Sequence, residues 1–311
     1  MSARTSAEVR AGRRTVPISS SDRVLIPGDG AVGDLTKLGL AEHYAAVGDA
    51  MVPHVRDRPL ALQGFPHGIG EGGFYMKEAP RHFPDWIARA RVPKREGGSV
   101  NHVLANDAAT LVYLAGQNVI TPHVWTSRAD RLERPDRLIF DLDPSTDDFA
   151  EVKRTARALG DLLRELGLAP HAMATGSRGL HVTVPLRRTS DYPAVQAFAH
   201  DVAAALAATS PDTLTTEFHI EKRGDRIYLD INRTRYGQHA VAPYAVRPIA
   251  GAPVATPLRW EELDDPALGP RSWNVATIRA RLEDGGDPWA GIAGEARAVG
   301  PAAAALKRLT R

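Results

Sequence analysis

The sequence contains no cysteine among its 311 residues. Disulfide bonds and thiolate metal sites are therefore excluded, and any bound metal must be held by oxygen or imidazole ligands. Long hydrophobic runs are also missing. No segment approaches the ~20 apolar residues that a membrane span needs, and the first residues lack the apolar stretch of a secretory signal. These absences predict a cytoplasmic protein that does not act at a membrane.

An excess of charge of either sign is missing as well. The formal net charge is only +2, from 39 basic and 37 acidic residues. This balance does not by itself indicate a nucleic-acid-binding protein, but unevenly placed basic residues can still form a local phosphate-binding surface. The hydrophobic content of 43% is enough for a substantial core, so the length predicts one large or two ordinary folded domains.

The most informative segment is an apolar run at residues 137–144 that ends in two carboxylates. Alternation along a β-strand places Asp141 and Asp143 on one face, and Phe140 and Leu142 on the opposite, core face. Like charges at this spacing repel each other unless a cation lies between them, so a divalent metal explains the pair economically. We expect neutralisation of either carboxylate to relieve this repulsion in the metal-free protein. The simpler alternative is a strand-to-helix turn with a capping aspartate.

Strand and helix periodicities alternate after this segment and predict a sheet with helices packed on one side. Asp230 lies on the polar face of the last predicted strand, opposite Ile227 and Leu229. The predicted elements of this region are strands at 119–126, 137–143, 172–174, 180–185 and 226–231, and helices at 149–166 and 195–206.

The flanking regions have weaker patterns. Residues 1–22 carry Arg4, Arg10, Arg13 and Arg14 among small polar residues, which predicts a mobile basic arm. The C-terminal residues 286–311 are predicted to form a peripheral helix or tail. The other predicted elements are strands at 23–27, 58–62, 73–77 and 239–246, helices at 37–52, 106–116 and 275–282, and an irregular basic loop at 78–98.

Three acids on sheet faces, Asp141, Asp143 and Asp230, match the requirement of a two-metal phosphoryl-transfer site, in which oxygen ligands hold two cations ~3.5–4 Å apart. The segment Thr175–His181 supplies hydroxyls, a guanidinium, backbone N–H groups and an imidazole, which suit polyphosphate oxygens. Each part is unspecific alone, since such a turn is usually only a turn. Their order along one chain is more specific.

The runs 141–144 (Asp-Leu-Asp-Pro), 175–181 (Thr-Gly-Ser-Arg-Gly-Leu-His) and 228–233 (Tyr-Leu-Asp-Ile-Asn-Arg) resemble the three signature motifs of the archaeo-eukaryotic primase superfamily. They are most similar to the polymerase domain of the bacterial end-joining DNA ligase D type, in its stand-alone primase-polymerase form. The resemblance covers residues 23–285. It implies an α+β primase-polymerase fold with a central mixed sheet, an RRM-like catalytic core flanked by helices, and an N-terminal α/β module packed against that core. The N-terminal module corresponds to residues 23–118, the catalytic core to residues 119–250, and residues 251–285 are expected to form a closing segment.

The resemblance also implies an activity: template-dependent nucleotidyl transfer, preferably of ribonucleotides, to a primer strand at DNA gaps or broken ends during repair. Two Mn²⁺ or Mg²⁺ ions would act as cofactors. The expected partners are NTPs and dNTPs, a gapped or broken duplex with a downstream 5′-phosphate, a separate DNA ligase and an end-binding protein. A monomer in the bacterial cytoplasm, associated with the nucleoid, is expected.

Residue roles follow from the resemblance position by position. Asp141 and Asp143 would bind both metals, and Asp230 the catalytic one. One ring of Phe74 and Tyr75 would stack on the template base while the other packs in the core. Lys37 and Lys77 would contact DNA or its 5′-phosphate. The implied nucleotide ligands are His123, Thr175, Ser177, Arg178, Gly179, His181, Arg233 and Arg247.

Two departures from the family pattern stand out. Gln63 and Gly64 replace a basic residue that relatives often carry, which predicts altered handling of the template or 5′-phosphate. No Lys-x-Asp-Gly ligase motif is present, so a free-standing polymerase is expected.

Two other functions are compatible with parts of the sequence. Residues 140–145 superficially resemble the nucleophile strand of haloacid-dehalogenase-type phosphatases, although that strand usually opens the core domain and here ~140 residues precede it. A non-catalytic nucleic-acid-binding module would explain the basic segments but leaves Asp230 without a role.

Overall fold

The computed structural model describes residues 5–310 and shows a mixed α+β protein. Short 3₁₀ helices lie at Ile69–Glu71, Ala129–Arg131, Ile220–Lys222, Trp260–Asp264 and Ile292–Glu295. The α-helices are α1 (Lys37–Ala46), α2 (Gly48–Val55), α3 (Ala108–Gly116), α4 (Phe149–Glu165), α5 (Tyr192–Thr209), α6 (Ile278–Gly285) and α7 (Val299–Leu309). The strands are β1 (Ser6–Ala11), β2 (Arg14–Ser19), β3 (Val24–Ile26), β4 (Leu35–Thr36), β5 (Leu60–Gly64), β6 (Phe74–Met76), β7 (Arg89–Pro93), β8 (Ser99–Val103), β9 (Val119–Val124), β10 (Arg137–Asp143), β11 (His171–Ala174), β12 (Leu180–Pro185), β13 (Leu214–Thr215), β14 (Ile227–Asp230), β15 (Ala240–Val241) and β16 (Thr256–Leu258).

The chain divides into two compact units that are discontinuous in sequence. The first unit comprises Met1–Trp125, Val241–Ala255 and Trp273–Asp287, and the second comprises Thr126–Ala240, Thr256–Ser272 and Pro288–Arg311. The predicted segments 23–118, 119–250 and 251–285 therefore do not match the compact units. Local periodicity identifies elements but does not indicate that two later segments return to the first unit.

The sheet of the first unit has the strand order β15–β9–β5–β6. β9 pairs antiparallel with β5, from Leu60 opposite Val124 to Gly64 opposite Val119. The prediction that residues 119–126 belong to the same sheet as the acidic strand is wrong. All six residues of β9 are buried, and a strand that is buried on both faces carries no alternation to indicate its partner.

Residues 6–19 form a β-hairpin, so the predicted mobile arm is wrong for this part of the chain; Arg4 lies outside the described residues. β1 pairs with β2 in antiparallel register from Ser6 opposite Ser19 to Ala11 opposite Arg14. The inward-facing Val16 and Ile18 are 2% and 0% exposed, respectively. Small apolar residues that alternate with the arginines give the hairpin a buried face.

Two other predicted elements of the first unit have a different form. The segment 78–98 is partly regular, because β7 pairs with β8 in a hairpin. The predicted helix at 37–52 is divided into α1 and α2 where Gly48 packs against Ala108, since a Cβ at Gly48 would come within 2.5 Å of the Ala108 Cβ.

The second unit contains a six-stranded mixed sheet in the order β13–β14–β10–β12–β11–β16. All pairs are antiparallel except the parallel pair β13–β14. α4 and α5 contact this sheet and each other. The completely buried Leu138, Phe140 and Leu142 of β10 form its core face. The predicted central mixed sheet with packed helices is confirmed, without the strand at 119–126.

The C-terminal segment is part of the second unit rather than a peripheral tail. Val299, Ala302 and Leu306 of α7 are buried, and α7 contacts α5. Trp289 is 2% exposed, and its Nε1 donates to the Ala172 carbonyl at 3.1 Å. The sequence of this Ala-rich helix does not indicate that it packs against the core, because alanine also suits exposed positions.

Among residues 5–310, no helix combines the length and apolar character that crossing a membrane requires.

A buried polar cluster anchors the first unit near Asp287. His43 Nε2 hydrogen-bonds the Tyr244 carbonyl at 3.1 Å, and Tyr244 Oη donates to Asp287 Oδ1 at 2.6 Å. His54 Nε2 lies 2.7 Å from Asp287 Oδ2. Burial lowers the pKa of His43 to about 4 and outweighs the hydrogen bond to Tyr244, which favours the protonated form. His43 is therefore neutral and a donor at pH 7.

We predict that His43 makes the protein less stable in mild acid. Below the unfolded pKa near 6.5 the unfolded chain binds a proton that the native ring does not bind until about pH 4, so the free energy of unfolding falls across this window. At pH 5 the loss should reach about 2 kcal/mol. Urea unfolding at pH 7.5 and pH 5 should show a smaller loss in His43→Gln than in wild type. The exposed His200→Gln serves as control, and equal losses in all three proteins would contradict the prediction.

Candidate active site

Three adjacent strands gather the predicted acids on the face of the second unit's sheet that is opposite the Phe140 core. In β10, Asp141 is opposite His181 of β12 and also opposite Asp230 of β14. Asp143 is opposite Tyr228. Directly opposed residues on antiparallel strands have Cβ atoms ~4.5–5.5 Å apart. Strand register therefore brings together side chains from three distant sequence segments.

Asp141 is held ionised by two basic partners. His181 Nε2 lies 3.5 Å from its Oδ1, and Arg233 Nε lies 3.1 Å from its Oδ2. Burial opposes ionisation, but the charges and hydrogen bonds of His181 and Arg233 outweigh it and lower the pKa of Asp141 to about 2. The expected gain from neutralising the carboxylate therefore does not apply to Asp141.

The pKa of Asp143 is shifted in the opposite direction. Arg178 Nη2 lies 3.3 Å from Oδ1 and Arg223 Nη1 lies 3.4 Å from Oδ2. Burial and the neighbouring Asp141 nevertheless raise the pKa of Asp143 above its usual value. The neighbouring charge of Asp141 thus disfavours the ionised form of Asp143, as the repulsion inferred from the sequence implies.

Asp230 completes the acidic group. Its Oδ1 accepts from the backbone N–H and the side-chain amide of Asn232 at 2.8 and 2.7 Å. Its Oδ2 lies 3.6 Å from Arg233 Nε, the same nitrogen that contacts Asp141. One cationic nitrogen therefore lies between carboxylate oxygens from two strands.

The turn that follows β11 is shaped by close packing against β10. The Thr175 N–H and Oγ1 both donate to the Gly179 carbonyl, at 3.1 and 3.0 Å. Gly176 adopts φ +69°, a conformation that favours glycine. A Cβ at Gly179 would lie 2.1 Å from the Leu142 carbonyl oxygen, so only glycine allows the turn to approach the acidic strand this closely.

A groove of about 520 Å³ borders this turn and the end of β10. Arg178 and Arg271 supply its positive charge, and Phe149 an aromatic surface. Arg271 Nε donates to the Ser177 carbonyl at 2.9 Å, and this bond links the turn to the segment Thr256–Ser272 of the same unit. A cationic groove beside this glycine-containing turn suits a polyphosphate.

The donor set of the acidic group fits divalent cations. Asp141, Asp143 and Asp230 offer only carboxylate oxygens, the ligands preferred by Mg²⁺ and Mn²⁺. Arg233 Nε marks a position between two of these carboxylates where positive charge is favourable. Within the described part of the chain no three acidic or histidine side chains are grouped so that they could hold a metal ion, and the carboxylates contact guanidinium groups instead. Cations would compete with these guanidiniums for the same oxygens.

The first unit contains the predicted aromatic pair on β6, the edge strand of its sheet. Phe74 and Tyr75 are 42% and 56% exposed, so the prediction that one of them packs in the core is wrong. The Tyr75 ring lies 5.5 Å from the ring of His123. Phe74 lies over Gly64, where a Cβ would come within 2.8 Å of its Cζ. Gly64 thus gives the ring its space.

The remaining predicted residues of the first unit have different environments. Lys37 is only 4% exposed at the start of α1, and burial and the charge of Arg23 lower its pKa. Lys77 is exposed directly after β6, and Arg247 is half-buried. The second unit brings together Asp141, Asp143, Thr175, Ser177, Arg178, Gly179, His181, Asp230 and Arg233; the predicted residues Lys37, Phe74, Tyr75, Lys77, His123 and Arg247 belong to the first unit.

Sequence inspection missed several side chains that contact the acids. Arg223 pairs with Asp143 from a loop 80 positions along the chain, and nothing in the local sequence indicates that contact. Asn232 was within a recognised motif, and its position two residues after Asp230 is a signal for an aspartate-centred turn. Arg23, a basic residue outside the acidic group, was also missed; its carbonyl accepts from the Lys37 backbone N–H at 2.8 Å.

Comparison with known proteins identifies the family. A model described as "LigD, primase-polymerase domain" matches residues 36–289. A solved structure, the polymerase domain from Mycobacterium tuberculosis Ligase D in complex with DNA, has a TM-score of 0.83 and 28% sequence identity, and covers 90% of this chain and 99% of that chain.

Three curated relatives are end-joining proteins. The multifunctional non-homologous end joining protein LigD of Pseudomonas aeruginosa is 34% identical over 304 residues, which are 96% of this chain and 35% of the relative. The protein of the same name from Mycobacterium bovis is 30% identical over 278 residues, 86% of this chain and 36% of the relative. The bifunctional LigD of Bacillus subtilis is 28% identical over 256 residues, 82% and 41%, respectively. The chain thus spans little more than a third of the length of these relatives.

We predict opposite stability effects for the two acids of β10 in metal-free buffer. Lowering the pKa of Asp141 from 3.8 to about 2 corresponds to about 2 kcal/mol of stability, present above pH 4 and lost as pH falls through 2. At pH 7 with chelator, Asp141→Asn should lower the melting temperature and Asp143→Asn should raise it. The exposed Asp201→Asn on α5 is the matched control. A lower melting temperature in Asp143→Asn would contradict the inferred repulsion.

Proposed function

The chain belongs to the LigD primase-polymerase domain family, and on that premise we propose that it is a template-dependent nucleotidyltransferase of DNA repair by non-homologous end joining. It adds nucleotides to a primer strand at gaps or broken ends. The observation that carries the proposal is the convergence of Asp141, Asp143 and Asp230 on one sheet face beside the turn at Thr175–Gly179.

Asp141 and Asp143 would hold two Mn²⁺ or Mg²⁺ ions, and Asp230 one of them. Bound there, such ions supply a Lewis acid for the primer hydroxyl and neutralise the triphosphate. Asp141 is already ionised, because His181 and Arg233 lower its pKa to about 2. Arg178 and Arg233, which contact Asp143 and Asp141 in this structure, have the planar guanidiniums that would bind the phosphate oxygens of the nucleotide.

The nucleotide would be held by the turn and by residues around it. Thr175, Ser177 and Gly179 would contact the nucleotide as parts of the turn, in which the Thr175 N–H and hydroxyl donate to the Gly179 carbonyl. His181 presents a buried Nδ1 that has no hydrogen-bond partner among the described residues. His123 and Arg247 are also proposed to contact the nucleotide, at its sugar and phosphates. The β10, β12 and β14 strands with α4 and α5 would form the RRM-like catalytic core.

DNA would be bound by the first unit. The similar polymerase domain from Mycobacterium tuberculosis was solved in complex with DNA, and here the exposed rings of Phe74 and Tyr75 and the exposed Lys77 provide stacking and phosphate contacts. Lys37 and Arg23 place two positive charges close together, which suits the 5′-phosphate of a gapped duplex. A separate DNA ligase and an end-binding protein would complete the repair reaction, with this chain acting as a monomer.

We predict that Asp141→Ala and Asp143→Ala abolish primer extension on a gapped duplex with a downstream 5′-phosphate in manganese, because each removes a ligand of both ions. Asp201→Ala should retain wild-type activity. The same assay run with matched ribo- and deoxyribonucleotides tests the proposed ribonucleotide preference, and a clear deoxyribonucleotide preference would refute that part.

Other outcomes of this assay favour other functions. Activity near wild type in either aspartate variant would end the two-metal proposal. Phosphate release without a template would favour the phosphatase alternative, and DNA binding without nucleotide addition would favour the non-catalytic module.

The aromatic pair gives a further prediction. Because both rings are about half exposed, Phe74→Ala and Tyr75→Ala should change the melting temperature little. At least one of them should weaken productive template binding by about 1–3 kcal/mol, the usual value of a lost base stack. Binding to a templated gap is the measurement, with Leu309→Ala as the control for loss of an exposed apolar side chain. If neither substitution weakens binding, the stacking proposal is wrong.

A further inference from the structure

The two oxygens of Asp230 have different environments. Oδ1 accepts hydrogen bonds from the Asn232 backbone N–H at 2.8 Å, the Asn232 Nδ2 at 2.7 Å and the Tyr228 hydroxyl at 3.4 Å. Oδ2 lies 3.6 Å from Arg233 Nε, beside the Oδ2 of Asp141. One oxygen is therefore saturated by donors, and the other faces the position between the two carboxylates.

Asn232 and Tyr228 reinforce each other in this arrangement. Asn232 Nδ2 also donates to the Tyr228 hydroxyl at 2.9 Å, so the amide is shared between the hydroxyl and the carboxylate. The Tyr228 ring is packed under the Arg223 guanidinium at 3.9 Å, and Arg223 in turn contacts Asp143. Both Tyr228 and Asp230 are buried, with 5% and 8% exposure. The side chains consequently have little freedom to rotate.

We propose that Asn232 is a positioning residue, assisted by Tyr228, that fixes the Asp230 carboxylate so that Oδ2 is presented to the divalent cation. The inference rests on the proposed function. A carboxylate that binds a metal is usually oriented by hydrogen bonds to its other oxygen, and loss of such a partner typically lowers metal affinity about 10–100-fold. Without the Asn232 amide the carboxylate could rotate, because its Oδ1 would lose the Nδ2 donor and the Tyr228 hydroxyl would lose the group that orients it.

Direct titration with Mn²⁺ alone tests the inference without depending on activity. Free Mn²⁺ is measured by electron paramagnetic resonance for wild type, Asn232→Leu and Tyr228→Phe. Asn101→Leu, the same change at an exposed position of β8, is the matched control. We expect Asn232→Leu to weaken Mn²⁺ binding about 10–100-fold. Tyr228→Phe should weaken it about tenfold or less, since its contact to Asp230 is longer, and Asn101→Leu should have no effect.

Primer extension provides a second readout that separates positioning from catalysis. A positioning role predicts that Asn232→Leu needs a higher Mn²⁺ concentration for half-maximal rate, while the rate at saturating Mn²⁺ stays within a few-fold of wild type. A rate that stays low at every Mn²⁺ concentration would overturn the assignment as a positioning residue.

The outcomes distinguish this inference from the proposed function. Unchanged Mn²⁺ affinity in a folded Asn232→Leu overturns the inference alone. Wild-type Mn²⁺ binding that is absent or insensitive to Asp141→Ala overturns both. If circular dichroism shows that Asn232→Leu does not fold, Tyr228→Phe, which keeps the buried ring, decides the question together with Asn232→Ala. Unchanged affinity in these two variants also overturns the inference.

Discussion

The register of β10 against its two neighbours is the constraint on which the site depends. It sets Asp141 opposite both His181 and Asp230, so an imidazole and a second carboxylate flank it. Like charges directly opposite in a sheet are destabilising. The structure offsets that cost with Arg233, whose Nε contacts both acids. A shift of one residue along β10 would turn these side chains toward the core and expose Phe140.

The two acids of β10 differ in how strongly their surroundings favour the ionised form. His181 and Arg233 outweigh burial at Asp141 and hold its pKa at about 2, whereas burial and Asp141 together raise the pKa of Asp143. The guanidiniums that compensate the acids in this state are also the groups suited to nucleotide phosphates.

Close backbone packing adds a second requirement. Gly179 lies so near the Leu142 carbonyl that a larger residue would push the turn away from the acidic strand. Arg271 then ties the turn from its other side through the Ser177 carbonyl. The position of this turn relative to the acidic strand is thus constrained by the absence of a side chain at Gly179 and by the hydrogen bond from Arg271.

The sequence by itself determined the main elements around the acids and the family of this protein. Alternation predicted β10 at residues 137–143 with the acids on one face, and helical spacing predicted α4 within one residue at its end. The motifs around Asp141, Thr175 and Asp230 indicated the family that the comparisons then identified. These features are readable because they depend on residues that are adjacent or one helical turn apart.

Only the tertiary structure decided which elements pair and which side chains meet. In the structure β9 belongs to the sheet of the first unit, and residues 6–19 form a hairpin instead of the predicted mobile arm. Two later segments, Val241–Ala255 and Trp273–Asp287, also belong to the first unit. It also brought Arg223 to Asp143 across 80 positions and left both aromatic rings of β6 exposed. Strand pairing and burial depend on contacts between distant residues, which periodicity within one segment does not encode.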